Sequence, residues 1–266
     1  MIVFTDIHGN FDTFMALYNK IPQSKRDMGI VIAGDLIDRG PKSKQMVQWC
    51  IDHPEVGVVT GNHEMIMVDV GMKNAEYFIN NGDFYPGDHI DYSASDSIYS
   101  GGGRRVNMWG VNGGFETMNS YITDHGDDTA TFDLKSFKSH LEWMKNLPLY
   151  LEFKDVKNEK GEHLLVTHSS ASKVWKWDDQ RRKNMREHFV DHLVWGRPNN
   201  IQPIPGVFNI FGHTPMPDGA RIREGYANID TGCFHSGKRF GKLTAISFPD
   251  MSLYEQENLD GFYKPF

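Results

Sequence analysis

Five short apolar runs, each closing on a compact polar cluster, organise this chain. Three fall within its first 64 residues: MIVFTDIHGN, GIVIAGDLIDRG and VGVVTGNHE. Continuous Val and Ile stretches of this length suit strands covered on both faces, as in a parallel sheet. Between the first two runs, Phe11, Phe14, Met15, Tyr18 and Ile21 recur at helical spacing behind Asn10, a candidate N-cap. Between the second and third, Met46, Val47, Cys50 and Ile51 follow Pro41, which suits a helix start. The order is strand, helix, strand, helix, strand. Asp6 to Asp35 spans 29 positions and Asp35 to Asn62 spans 27, close to the ~30 residues of a βαβ unit. The three polar clusters should therefore meet at the carboxyl ends of parallel strands, where ligands of open α/β sheets bind.

The remaining two runs, HLLVTHSS and GVFNIFGHTP, end in His168 and His213. Between them DDQRRKNMREHFVDHLVWGRP reads as one helix stopped by Gly196 and Pro198. An earlier helix covers Leu134 to Leu147, with Leu134, Phe137, Leu141 and Met144 as its apolar stripe. The segment Gly82 to Gly114 is rich in Gly, Asp and Ser, so a loop-rich insertion around residues 80–114 is expected within a single 1–266 domain. In the tail, ANIDTGC, KLTAISF and MSLYEQ read as hairpin-connected strands.

Composition narrows the function classes. The chain has 266 residues, enough for a substantial core, and carries 28 Lys and Arg against 35 Asp and Glu, a net charge of −7. That balance argues against broad nucleic-acid binding, which needs a basic surface, while leaving room for a local cationic pocket. Two cysteines make no disulfide framework; Cys50 and Cys233 read as buried thiols of a reduced compartment. With no run long enough to span a membrane and no signal-peptide pattern at Met1, a cytoplasmic location and no membrane partner are expected.

Asp6 and His8 stand two apart at a strand end, a spacing that lets both side chains leave one face and share a cation. Alone, D-x-H-G is an ordinary turn. It gains weight when GDLIDRG, GNHE and two histidine-ended strands follow in order. Carboxylates, imidazoles and a carboxamide oxygen select Mn²⁺, Fe or Zn²⁺ rather than a thiolate-bound metal.

D-x-H-G at 6–9, G-D-x-x-D-R-G at 34–40 and G-N-H-E at 61–64 together resemble the signature of the phosphoprotein phosphatase family of metallophosphoesterases. LVWGRP at 193–198, IFGHTP at 210–215 and IDTGCF followed by GKLTAI extend the resemblance toward its bacteriophage lambda and bacterial members. THSS at 167–170 departs from the family's usual residues after the histidine, which bears on substrate shape, and residues 70–150 match only in pieces. The resemblance implies an α/β fold of two packed mixed β-sheets flanked by helices. It implies two divalent metal ions, Mn²⁺ first, with Asp6, His8 and Asp35 holding one and Asp35, Asn62, His168 and His213 the other. Asp35 bridges. Such a pair acidifies a bridging water for in-line displacement without a phosphoenzyme. It further implies His63 as the acid that protonates the leaving oxygen, pointing away from the metals and raised in pKa by Asp38 beside it. Arg39 and Arg197 are implied as phosphate anchors.

Other features weigh less. His188 and His192 lack the intervening glutamate of H-E-x-x-H. GGGRR at 101–105 lacks a phosphate loop's Lys-Ser/Thr, although Arg104 or Arg105 could meet an acidic substrate. Ser169, Ser170 and Ser172 read as small residues in a tight loop, Asp230 as a turn-maker, and Trp109, Trp175, Trp177 and Tyr226 as packing residues. The expected activity is serine/threonine phosphoprotein phosphatase, with phosphotyrosine as a further substrate and a phosphorylated protein or peptide as partner. The alternative is a symmetrical diadenosine tetraphosphate hydrolase, which shares the first two blocks; GNHE favours the phosphatase, and the NGG at 112–114 favours the alternative.

Overall fold

The computed structural model describes residues 1–89, 105–126 and 130–264, so part of the expected insertion, including 101–104 of GGGRR, lies outside the described residues. The amino-terminal third is β1 (Ile2–Phe4), α1 (Phe11–Lys20), α2 (Gln23–Arg26), β2 (Ile30–Ile32), α3 (Ser43–Asp52), β3 (Gly57–Val58) and α4 (Asn62–Asn81). The middle holds β4 (Asp88–His89), β5 (Arg105–Val106), a turn kinked at Gly113 (Gly110–Gly114), α5 (Phe115–Ser120), β6 (Ile122–Asp124), β7 (Ala130–Phe132) and α6 (Leu134–Lys145). The last part is β8 (Tyr150–Lys157), β9 (His163–Thr167), α7 (Asp179–Asn184), α8 (Arg186–Val194), β10 (Val207–Phe211), β11 (Arg221–Arg223), β12 (Tyr226–Asn228), β13 (Lys242–Ser247) and β14 (Leu253–Glu257).

Two five-stranded mixed sheets result, in the orders β14-β13-β1-β2-β3 and β11-β12-β10-β9-β8. The first three strands pair in parallel, as do β9 with β10 and β10 with β12. Alternation along each short strand explains why every residue in it is apolar. Ile2, Phe4, Ile30 and Ile32 join the core beneath the helices, together with Phe14, Leu17, Met46 and Phe137. Val3 and Val31 point the other way, into the layer between the sheets, against Leu164, Val166, Phe208 and Ile210. Leu165 and Val207 face outward again and are covered by Phe189, Leu193 and Val194. The central strands β1, β2, β9 and β10 are thus covered on both faces, whereas the edge strands β11 and β14 keep exposed polar residues such as Arg221, Arg223, Glu255 and Glu257.

Three expectations change. The single helix across 178–198 is two, broken at Met185 (φ −119°, ψ 40°), because only α8 has an apolar stripe to bury; α7 buries nothing. In the tail, β13 and β14 are antiparallel neighbours, but β12 lies in the other sheet beside β10, so residues 229–241 cross between the sheets. Asn10 occupies the N-cap position of α1 as expected, but its side chain makes no capping bond; its Nδ2 donates instead to the carbonyls of Ile7 and His8.

What locks the strand ends together is Glu64. Its buried carboxylate accepts from the backbone N–H of Asp35, Leu36 and Gly61, all at 2.8 Å. The contact from Gly61 is half of a capping box at the start of α4, and the other two reach across to the loop after β2. Gly34 (φ +83°) sits so close that a Cβ there would lie 2.6 Å from the Gly61 nitrogen, which explains the glycine before Asp35. Glu64→Ala leaves three buried N–H groups unpaired, each costing about 1–3 kcal/mol. Urea unfolding is expected to show a loss of at least about 3 kcal/mol, with Glu64→Gln intermediate; a loss below about 1 kcal/mol would mean that water replaces the carboxylate.

Candidate dimetal centre

The site is built where strands stop. Asp6, His8, Asp35, Asp38, Arg39 and His213 all have positive φ, between 47° and 70°. For non-glycine residues that region is strained, and a cluster of it marks a functional site more often than a structural one. It also changes how Asp6 and His8 are aimed. The strand ends at Phe4, so a tight turn rather than the β pleat directs both side chains.

Asp35 is at the centre, almost fully buried, with its two oxygens facing different partners. Oδ2 lies 3.5 Å from His8 Nε2 and 4.0 Å from His63 Nε2, while Oδ1 lies 3.4 Å from His168 Nε2 and accepts from the His63 N–H at 3.2 Å. Two groups of converging ligand atoms follow: His8, Asp35 and His63, and Asp35, His168 and His213. Asp35 belongs to both. Asn62 Oδ1 approaches His168 Nε2 at 3.0 Å, and His213 Nδ1 approaches the same nitrogen at 3.1 Å.

The tautomers decide what this convergence means. His8 Nδ1 donates to the Ile37 carbonyl at 2.8 Å and His168 Nδ1 to that of Ala33 at 2.8 Å, which leaves each Nε2 as a lone pair turned inward. His168 Nε2 therefore meets an amide oxygen, a carboxylate oxygen and a second imidazole. Acceptors gathered on acceptors in a dry site repel one another unless a cation lies among them. Burial disfavours charge on three of these imidazoles: it pulls His8 well below the usual range, His213 to about 2 and His63 to about 4. Burial also pushes Asp35 up, helped by Asp6 and Glu64. Neutral nitrogens with carboxylate and amide oxygens form a donor set that suits divalent first-row metals.

The expected site residues fall into place unevenly. Asp6 belongs to neither converging group; its carboxylate accepts from Thr5 Oγ1 and, at 3.0 and 3.2 Å, from the His213 N–H. His63 is not turned away but stands beside His8, ring centroids 4.7 Å apart, in the first group. Its Nδ1 donates to Asp38 Oδ2 at 2.6 Å as expected, yet its pKa falls rather than rises, because loss of hydration outweighs every nearby charge. Asp38 is pushed up to about 7 by the same burial, although Thr117 and Trp109 donate to it. Arg39 donates to His8 Nε2 at 2.7 Å and His63 Nε2 at 3.0 Å, and its guanidinium lies 3.9 Å over the Phe234 ring. Arg197 is exposed at the rim.

Several partners escaped the sequence reading. Glu64 had a signal, the G-x-x-E of a capping box. Trp109 was read as packing, yet its Nε1 donates to both Asp38 oxygens at 3.1 Å. Phe234 had no signal. Asp230 makes its expected turn by accepting from the Gly232 N–H at 2.9 Å, but its Oδ2 is buried with no hydrogen-bond partner. His188 and His192 belong to no metal-holding group among the described residues.

A family model of calcineurin-like phosphoesterases matches residues 1–217. The chain belongs to that family. It is therefore a phosphoesterase of a metal-dependent family, and its Asp and His groups could hold the metals. Among curated calcineurin-like relatives, it is 24% identical over 275 residues to the asymmetrical bis(5'-nucleosyl)-tetraphosphatase PrpE of Bacillus subtilis, covering 96% of each chain. The PrpE of Anoxybacillus flavithermus is likewise 24% identical over 260 residues, 92% of this chain and 89% of that one. The symmetrical bis(5'-nucleosyl)-tetraphosphatase of Neisseria gonorrhoeae is 40% identical over 67 residues, 25% of this chain and 24% of that protein's length. A protein serine/threonine phosphatase structure from Saccharomyces cerevisiae shares the fold, with a TM-score of 0.53 at 12% identity, covering 96% of this chain and 79% of that one.

Asp35→Asn weakens the one carboxylate common to both groups. Metal analysis should find fewer than two ions retained per chain, and turnover should fall beyond the roughly 10–100-fold typical of outer-shell partners. Asp230→Asn should keep both ions. Two tightly held ions in Asp35→Asn would remove the shared-ligand assignment.

Proposed function

We propose that this calcineurin-like phosphoesterase is a two-metal hydrolase of dinucleoside polyphosphates. The observation that carries the two-metal part is Asp35, whose oxygens face two separate sets of nitrogen and oxygen donors. Asp6, His8 and Asp35 would hold one cation and Asp35, Asn62, His168 and His213 the other, with His63 Nε2 close to the first. Bound there, divalent cations would acidify a water and draw charge from phosphoryl oxygens. Arg39 and Arg197 would bind the remaining phosphate oxygens, a task for which a guanidinium fork suits the spread charge of phosphoryl transfer. Water adds to phosphorus as the bond to the leaving phosphate oxygen breaks, and that oxygen departs as a nucleotide anion.

The substrate class rests on similarity along nearly the whole chain to two asymmetrical tetraphosphatases. It replaces the phosphoprotein activity as the leading reading. Cleavage of the asymmetrical kind fits those relatives; the shorter Neisseria match favours the symmetrical kind.

Phosphoprotein hydrolysis stands second, favoured by the 2.6 Å contact between His63 and Asp38. A proton donor matters most when the leaving group is a basic alkoxide such as that of serine, and little when it is a phosphate. With Mn²⁺ supplied, diadenosine tetraphosphate should turn over faster than a phosphoserine peptide, with nucleotide products resolved by anion exchange. The reverse ranking would reinstate the phosphatase. His63→Asn should cost a phosphoserine peptide distinctly more, up to the order of 10²–10⁴-fold, than p-nitrophenyl phosphate. Equal losses on both would leave His63 a charge-stabilising or metal-holding group.

A further inference from the structure

The site opens into two cavities that share Arg197. One, of about 330 Å³, is walled by Arg39, Arg197, His213, Phe234, His235 and Tyr263. The other, of about 530 Å³, is walled by Ser170, Lys173, Asp191, His192, Trp195 and Arg197. Both volumes fall within the roughly 300–1,000 Å³ of small-molecule sites. Of the metal-facing histidines, His213 lines the first, and none lines the second.

The two lobes differ in what their aromatic rings are free to do. Phe234 is covered by the Arg39 guanidinium at 3.9 Å and lies 4.0 Å from the His235 ring, so its face is taken. Trp195 is 43% exposed although it follows buried Leu193 and Val194 directly. Its position is fixed from both sides. Its N–H donates to the Asp191 carbonyl at 2.8 Å as the C-cap of α8. Gly196, which follows, approaches the His192 carbonyl so closely that a Cβ would lie 2.5 Å from it. The loop after β9 then fastens this corner: the Ser169 N–H donates to the Leu193 carbonyl at 2.7 Å, and its hydroxyl donates to the Gly196 carbonyl. Since His168 is the next residue back, the indole is held in register with the metal-facing imidazole. The corner that carries this large, partly exposed ring is thereby held by three hydrogen bonds to backbone carbonyls and the close approach of Gly196, against the hydrophobic gain of folding the ring away.

We propose that the Trp195 cavity is the second nucleoside subsite, in which Trp195 stacks on the base of a dinucleoside polyphosphate. Arg197, in both walls, guides the phosphate chain from the reacting phosphorus into this lobe, and Lys173 adds a cation for the phosphates there. Asp191 is the one carboxylate in the wall, and it disfavours phosphate at its own end, which leaves that end to the neutral base. An indole face stacks on any base, so the subsite is expected to tolerate guanine as well as adenine. This inference rests on the substrate class proposed above and specifies where its second half binds.

The test compares Trp195→Ala, Trp195→Phe and the unaltered chain, each checked for two bound metals, on diadenosine tetraphosphate and p-nitrophenyl phosphate. Loss of base stacking should lower the ratio of the two kcat/KM values about tenfold in Trp195→Ala, mostly through KM for the dinucleotide, and Trp195→Phe should restore most of it. Saturation-transfer NMR with AMP supplies a readout independent of turnover: base protons should receive transfer from the unaltered chain and lose it in Trp195→Ala. If the dinucleotide is cleaved and neither ratio nor transfer changes, the subsite is wrong while the substrate class stands. If no dinucleotide is cleaved but transfer depends on Trp195, the base site stands and the substrate class falls. Run beside these on a phosphoserine peptide, a kcat/KM that falls in Trp195→Ala while that for the dinucleotide does not overturns the proposal in favour of a peptide side chain on the indole.

Discussion

Every other arrangement in this molecule answers to the need to hold one carboxylate, that of Asp35, out of water with its two oxygens facing opposite ways. A lone buried carboxylate is too costly to keep ionised. Here the His63 N–H donates to one of its oxygens, and the Nε2 atoms of His8 and His168 stand on either side of it, where a cation would offset its charge. The backbone that carries it is pinned by Glu64, itself a buried carboxylate satisfied by three amides. The interlocked glycines, the strained strand ends and the capping box of α4 are the means by which two strands deliver their last residues to one point.

The same dryness governs proton chemistry around the centre. Intuition assigns a histidine beside an aspartate a raised pKa, and that holds when both are wet. At His63 and Asp38 burial acts on both members, lowering the base to about 4 and raising the acid to about 7, which reverses their ordinary order of proton affinity across the 2.6 Å contact. Trp109 and Thr117 keep the carboxylate in place on its other side. A cation bound near His8 and Asp35 would shift this balance further, because its charge acts at the same short range.

The sequence made the scaffold legible where a short-range rule applied. All-apolar runs meant strands with two covered faces; βαβ spacing brought Asp6, Asp35 and Asn62 to one edge; and a histidine after each of two later runs placed His168 and His213 on the facing sheet. What it hid depended on long-range packing. Nothing local says that Phe234 lies beneath Arg39, since the chain crosses between sheets to bring it there. Nor does composition tell that Asp6 would turn to the His213 amide while His63 drew close to His8. The break at Met185 was missed because charge alone was visible where only half of the segment had an apolar stripe. Electrostatic signs were misjudged for the reason that exposure, which decides them, is a property of the finished fold.

β1, which carries Asp6 and His8 at its end, lies between β2 and β13, pairing Ile2 with Ser247 and Phe4 with Ala245. A strand synthesised among the first thus gains its second neighbour among the last. During synthesis, when domains fold as their residues emerge, this leaves a bare apolar edge exposed for most of translation. Pairing that spans nearly the full chain is also slow to close. Of the metal-facing centre, the group of His8, Asp35 and His63 stands at the ends of the first strands and the start of α4, whereas that of Asp35, His168 and His213 waits for β9 and β10 of the second sheet.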